Sequence, residues 1–260
     1  IKSLSKEFGE GTETLAKGLY DVLSASIPTE KALKVLRIAT ESAKGGFTDT
    51  ATAVDGITSL LNAYGLSADH AGEVSDKMFA AVKRGKITFP ELAANIGKVA
   101  PLAKAAGVGM DELLGSLANL TRKGVKPEQA MTQLRATLTF AAKEGKIFGQ
   151  VIKDFAGKSL EDIIAKGVPQ ESAAGIAALS ANIKELSGDI DSLARSGGAR
   201  LEAFGKYQET FAYKWGQAKQ QIIAVARELG LALMPTVEKA VKYISKFAEK
   251  ISSLSKKEMA

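Results

Sequence analysis

Between residues 45 and 130 one punctuation pattern returns five times: glycine, an apolar residue, a short polar step, then an acid that opens the next segment. It reads Gly46-Phe47-Thr48-Asp49, then Gly65-Leu66-Ser67-Ala68-Asp69. A stretched copy runs Gly85-Lys86-Ile87-Thr88-Phe89-Pro90-Glu91, followed by Gly107-Val108-Gly109-Met110-Asp111 and Gly124-Val125-Lys126-Pro127-Glu128. Glycine enters the left-handed region that ends a helix without a Cβ penalty. The apolar residue can fold back on the next helix as a staple. Ser67 and Thr88 suit an N-cap, Pro90 and Pro127 suit a first turn, and the acids favour the positive end of the helix dipole. A chain punctuated in this way folds as a row of short helices joined by similar turns.

The helices expected from this pattern cover 12–25, 29–44, 49–64, 68–84, 89–105, 110–122 and 127–144. Apolar spacing within them is helical, as in Leu92, Ile96, Val99 and Ala103. Val54, Leu61, Phe79, Leu92, Ile96, Leu113, Leu117, Leu134 and Leu138 are the expected core of one N-terminal bundle. Short turns make neighbouring helices pack as hairpins. The glycine gaps of 19, 20, 22 and 17 residues are too uneven for a solenoid. Aromatics are only 6% of a 45% hydrophobic composition that is heavy in alanine, and no strand-type alternation stands out. The fold class is therefore all-α, a multi-helix bundle of short helices followed by long, partly coiled-coil-like helices. The divisions read as 1–144, the bundle; 145–171, a connector of two short helices broken at Gly157 and at Gly167-Val168-Pro169; and 172–260, long amphipathic helices.

In that last region the period changes. Ile176, Leu179, Ile183, Leu186, Ile190 and Leu193 are spaced 3, 4, 3, 4, 3, a heptad with isoleucine at one core position and leucine at the other. Two readings stand open for this seam: packing on the N-terminal bundle, or self-association with other copies. Ser196-Gly197-Gly198 interrupts it, and a sticky face resumes through Leu201, Phe204, Phe211, Trp215, Ala218, Ile222, Val225 and Leu229. From Pro235 a basic amphipathic helix follows. Val237, Val241, Ile244, Phe247, Ile251 and Leu254 form its apolar side, a face for a partner or a membrane, with Lys239, Lys242, Lys246 and Lys250 mostly elsewhere.

Composition narrows the chemistry. The chain of 260 residues has no cysteine, which excludes disulfides, thiolate metal sites and thiol nucleophiles. Its one histidine, His70, falls in a first helical turn beside Asp69 and reads as an exposed helix-start residue. There is no HExxH motif and no P-loop, and Glu112 and Glu161 suit helix starts better than acid–base work. Neither catalysis, nor a metal, nor a cofactor is expected. A net charge of +6 leaves a mild preference for acidic partners. No recognition helix or dense basic stripe points to sequence-specific nucleic acid. No run of about 18 apolar residues could span a bilayer. The first residue is isoleucine, and the chain reads as cut from something longer.

The block from 19 to 140 resembles the core domain of phage tail tape measure proteins. The resemblance rests on Leu19-Tyr20-Asp21-Val22-Leu23-Ser24-Ala25, Ala43-Lys44-Gly45-Gly46-Phe47-Thr48-Asp49 and Leu61-Asn62-Ala63-Tyr64-Gly65-Leu66-Ser67. It continues through Val82-Lys83-Arg84-Gly85-Lys86-Ile87-Thr88-Phe89-Pro90-Glu91-Leu92, Gly124-Val125 and Ala130-Met131-Thr132-Gln133-Leu134-Arg135. Further on, Phe211 with Trp215 and the break at Leu233-Met234-Pro235 are similar to that family's later helices. Gly109 departs from it, standing where the family often has a serine cap. The resemblance implies a structural protein made in the host bacterial cytoplasm that occupies the tail tube lumen of the virion. It would set tail length during assembly and leave the tube with the genome. Implied partners are other copies of itself, the tail tube protein, tail-tip proteins and tail assembly chaperones. The alternative reading is a membrane-active helical protein that assists genome passage, with the host membrane as partner.

Overall fold

The computed structural model describes the backbone of residues 1–258 and the side chains of residues 1–249. Among the described residues there is no strand. The chain runs α1 (Lys2–Phe8), α2 (Thr12–Ser24), α3 (Thr29–Gly45), α4 (Thr50–Tyr64), a 3-10 turn (Ala68–His70), α5 (Ala71–Arg84) and α6 (Phe89–Ile96). Then come α7 (Ala100–Ala105), α8 (Met110–Arg122), α9 (Pro127–Lys143), α10 (Phe148–Asp154) and α11 (Leu160–Ala165). Last are α12 (Gln170–Ser180), α13 (Ile183–Ala194), α14 (Ala199–Gln208) and α15 (Phe211–Glu258).

The turn chemistry is largely as the sequence reads, with local exceptions. Asp49 caps α4 by accepting from the Thr52 N–H at 2.8 Å. Thr88 and Glu91 close a reciprocal capping box on α6, and Pro90 and Pro127 occupy first turns. Ser67 instead hydrogen-bonds His70 Nδ1 at 3.1 Å and caps nothing. Gly65 ends α4 in the left-handed conformation (φ 65°), but Gly46 does not need that freedom. Phe47 takes the positive φ in its place, and a Cβ on Gly46 would lie 2.7 Å from the Phe89 side chain. Glycine is required there by packing. Phe47 is no staple either: it is 79% exposed.

The single helix expected over 89–105 is two helices. Pro101 has no N–H and its ring would clash with the carbonyl four residues back, so the chain restarts at Ala100. The short α6 lies across α4 at close range: a Cβ on Gly56 would come within 2.7 Å of Ala93. Residues 2–8, which carry none of the glycine punctuation, form α1 and pack into the core through Leu4 and Phe8.

All nine residues expected in the N-terminal core are buried. The core does not stop at 144. It continues through Phe148, Val151, Ile152, Ile163 and Val168 to Ile176, Leu179, Leu193, Phe204 and Tyr213. Long helices over 172–208 are not observed. α12, α13 and α14 have 11, 12 and 10 residues, and all three lie on the bundle. Only α15, with 48 residues, is long.

Leu92 on α6 and Leu117 on α8 are both fully buried in this core. Leu92→Ala and Leu117→Ala are each expected to lower unfolding stability by about 2–5 kcal/mol, read by urea titration with unchanged slope. Two unaltered midpoints would remove these faces from the core.

Candidate association surface

The heptad over 176–193 is where a second copy was one of two expected occupants, and the structure gives the place to the chain itself. Ile176, Leu179, Leu186 and Leu193 are buried, and Ile183 and Ile190 are partly buried against the same core. α12 lies on α9 and α13 lies on α8. Two glycine notches allow it. A Cβ on Gly115 of α8 would meet Ile190 Cγ1 at 2.9 Å, and one on Gly175 of α12 would meet Thr137 Oγ1 at 2.7 Å. The seam is also broken at Ala181-Asn182, where Asn182 caps α13 through the Glu185 N–H at 3.1 Å. It therefore presents no stripe to another molecule.

A buried ion network fixes this arrangement. Asp189, fully buried on α13, accepts from Arg84 Nε (2.7 Å), Arg122 Nη1 (2.9 Å), Arg122 Nη2 (2.7 Å) and Asn119 Nδ2 (2.9 Å). Arg122 also reaches Glu185 at 2.7 Å. Burial works against ionisation of Asp189, but the bonds from Arg122, Asn119 and Arg84 outweigh it and hold its pKa below the usual carboxylate range. Asp76 on α5 performs a similar task one helix later. Its two oxygens accept from the backbone N–H groups of Gly198 (2.9 Å) and Arg200 (2.8 Å), so the start of α14 is tied to α5. Arg200 then pairs with Glu41 on α3. None of these partners is near in sequence, which is why periodicity does not reveal them.

Thr210 caps α15 by accepting from the Tyr213 N–H at 3.2 Å. One side of the helix is rooted on α1. Tyr213 Oη and Gln217 Nε2 both donate to the Glu7 carbonyl, at 2.8 and 2.7 Å. Gly9 meets Gly216 and Gln217 so closely that a Cβ on it would lie 2.6 Å from their backbone. Arg227 reaches Thr12 Oγ1 at 2.8 Å.

The opposite side carries an apolar stripe. Phe211, Leu229 and Phe247 are eighteen residues apart, about five turns, and so share one line along the helix. Trp215, Ile222, Leu233 and Ile244 fall beside that line, all exposed. The rings of Phe211 and Trp215 stack at 6.2 Å. Tyr213, Gly216 and Gln217, which touch α1 and its C-terminal Gly9, lie on the other side of the helix, so the stripe points away from the bundle. Val237, Val241, Ile244 and Phe247 belong to this exposed surface. Ile251 and Leu254 lie outside the described side chains. The expected break at Pro235 is absent: Pro235 sits inside α15. The helix is solvated there, so water can satisfy the Leu231 carbonyl that proline leaves without a donor. No helix among the described residues is long and apolar enough to cross a membrane.

His70 is exposed and bonds only Ser67, and no group of three or more acids and histidines among the described residues could hold a metal ion. Glu112 and Glu161 stand in the first turns of α8 and α11. Burial raises the pKa of Glu112, partly offset by Lys153.

The structure is thus a helical bundle that displays one long helix with an apolar stripe outward. The family model described as Phage-related minor tail protein matches residues 1–159, and the chain belongs to that family. It is 27% identical over 179 residues to a probable tape measure protein of Clostridium phage phiCD119, covering 65% of this chain and 19% of that protein. It is also 27% identical over 283 aligned positions to the tape measure protein of Pneumococcus phage Dp-1, covering 96% of this chain and 24% of that protein. The chain thus spans a fifth to a quarter of the length of these relatives. No solved structure matches it significantly.

Asp189→Ala should lower stability by about 3–5 kcal/mol, because Arg122 and Arg84 are left facing an uncompensated cleft. The pH dependence has a definite sign. A depressed native pKa contributes stability above the ordinary aspartate range, near 4, that is lost as pH falls through the native value. The melting-temperature gap between the natural protein and Asp189→Asn should therefore be constant near neutrality and narrow in acid. A gap independent of pH down to acid unfolding would contradict this role.

Proposed function

We propose that this chain is part of a tape measure protein that occupies the tail tube lumen, sets tail length during assembly and leaves with the genome. The observation that carries the reading is α15. A continuous helix of 48 residues rises about 1.5 Å per residue, some 72 Å in all, so its residues translate directly into length. The compact bundle of residues 1–208 cannot measure length while folded. On this reading it anchors the rod, and further helical segments of the whole protein carry the rest of the span. The outward stripe is a seam for other copies of the chain. Rods of several copies aligned through that seam would bury it and leave the lysines of α15 facing outward. The tail tube, tail-tip proteins and tail assembly chaperones are the other partners this role requires. The role is structural, and no catalytic step is assigned to the chain. Synthesis in the host bacterial cytoplasm precedes packing into the virion.

A second reading draws on the same helix. Lys239, Lys242 and Lys246 lie opposite the apolar side formed by Val237, Ile244 and Phe247, a distribution that suits an anionic lipid surface during genome passage. Sedimentation of the chain with anionic vesicles tests it, since a simple self-association seam gives no lipid-dependent pelleting.

The leading reading is tested by placing glutamates at Ile222 and Leu229. Neither residue touches the bundle, so the fold should persist by circular dichroism. The expected result is loss of concentration-dependent mass in sedimentation velocity and failure to form tails of normal length when phage carry the change. A variant that keeps the natural mass and builds normal tails would exclude this seam.

A further inference from the structure

A cleft of about 630 Å³ opens between α5, α8, α13 and the start of α14, and four cationic side chains converge on it: Lys83, Arg84, Arg122 and Arg195. They come from three different helices or their ends, so their meeting is a product of the fold. Both Nη groups of Arg122 are engaged, by Asp189, Glu185 and the Arg84 carbonyl. Arg84 differs. It spends only Nε on Asp189, and its two Nη groups carry no hydrogen bond among the described residues. Asp189 thereby holds the guanidinium in one orientation. Arg195 has no hydrogen bond or ion pair among the described residues, and Ser196 contributes a hydroxyl on the same wall. The backbone amides at the start of α14 are already taken by Asp76 and add nothing. One acid lines the cleft, Glu202, which Lys206 at 2.9 Å and Lys83 at 3.4 Å hold at the rim.

We propose that this cleft binds a phosphate group, as free phosphate or as part of a nucleic-acid backbone. A single carboxylate is satisfied by one bidentate arginine, whereas donors arriving from three directions match a tetrahedral anion with several acceptor oxygens and up to two charges. Arg84, pre-oriented by Asp189, supplies the bidentate fork. Arg195 closes from the α13 end, and Lys83 exchanges Glu202 for the anion. The interaction is with the phosphate alone, and nothing in the cleft reads a base.

The test is isothermal titration calorimetry of the full chain at fixed ionic strength with three probes: pyrophosphate, a short single-stranded oligonucleotide and a heptaglutamate peptide. Lys83→Ala/Arg195→Ala removes two exposed groups that support no core contact. It should weaken pyrophosphate about tenfold or more, the scale of one or two charge-assisted hydrogen bonds. Glu202→Gln should tighten it. Lys98→Ala/Lys126→Ala, the same charge change at exposed positions elsewhere, should leave it unaltered. Oligonucleotide binding weakened by the same pair would identify a nucleic-acid backbone as the source; pyrophosphate binding alone would identify free phosphate. The proposal fails if pyrophosphate gives no binding, if the control pair weakens it equally, or if heptaglutamate binds as tightly.

Discussion

Asp189 is fully buried and holds donors from two other helices, Arg84 at the end of α5 and Arg122 and Asn119 on α8. Removing a charge from water is expensive, and such a network adds little net stability over a well-packed apolar contact. What it supplies is discrimination. The isoleucine–leucine seam over 176–193 would adhere to any similar seam, including one on a second copy. Only α8 and α5 offer two arginines and an asparagine at the position Asp189 reaches. Displacing α13 would strand the carboxylate and both guanidinium groups. The ion network thus commits the seam to the chain's own bundle, and the position of everything after it follows.

With α13 fixed, α14 is set by the Asp76 clamp across α3 and α5, and α15 starts from a defined point beside α1. The side of α15 that carries Tyr213, Gly216 and Gln217 is the one turned to α1, which leaves the apolar stripe outward. The same economy of small residues runs through the molecule. Gly56 on Ala93 and Gly9 on Gly216 bring two backbones to a distance that a Cβ would forbid, and Gly115 and Gly175 leave room for the side chains of Ile190 and Thr137. In a chain poor in aromatics and rich in alanine, close approach of helices complements the buried leucines, isoleucines and phenylalanines of the core, and the notches are where that approach is tightest.

The bundle was legible because its signals are local. Caps such as Asp49 and Thr88, first-turn prolines and the 3.6-residue spacing around Leu92, Ile96, Leu113 and Leu117 all act within a few residues. Pro101 was a local signal too, and it divides the helix expected over 89–105. Pro235 is the reverse case: a strong breaker tolerated because its helix is solvated. The fate of the 176–193 seam was not legible. A heptad states that a face is apolar and leaves open what covers it. The deciding partners of Asp189 lie 67 to 105 residues away, beyond any periodicity. The outward stripe was legible as residues, since Phe211, Trp215, Ile222 and Leu229 share a phase, but its direction depends on which side meets α1, a helix that carries none of the repeated turn pattern.

Amide hydrogen exchange followed along the chain tests the account most directly, because it separates what the bundle holds from what it displays. If the Asp189 network ties α13 to the core, residues 183–194 should exchange with the same slow, cooperative behaviour as α8. Residues 228–249 of α15 should exchange rapidly in dilute protein and become protected as concentration rises. Rapid exchange over 183–194 together with concentration-independent protection over 228–249 would contradict it, placing the association seam on the heptad and the covered helix at the C-terminal end.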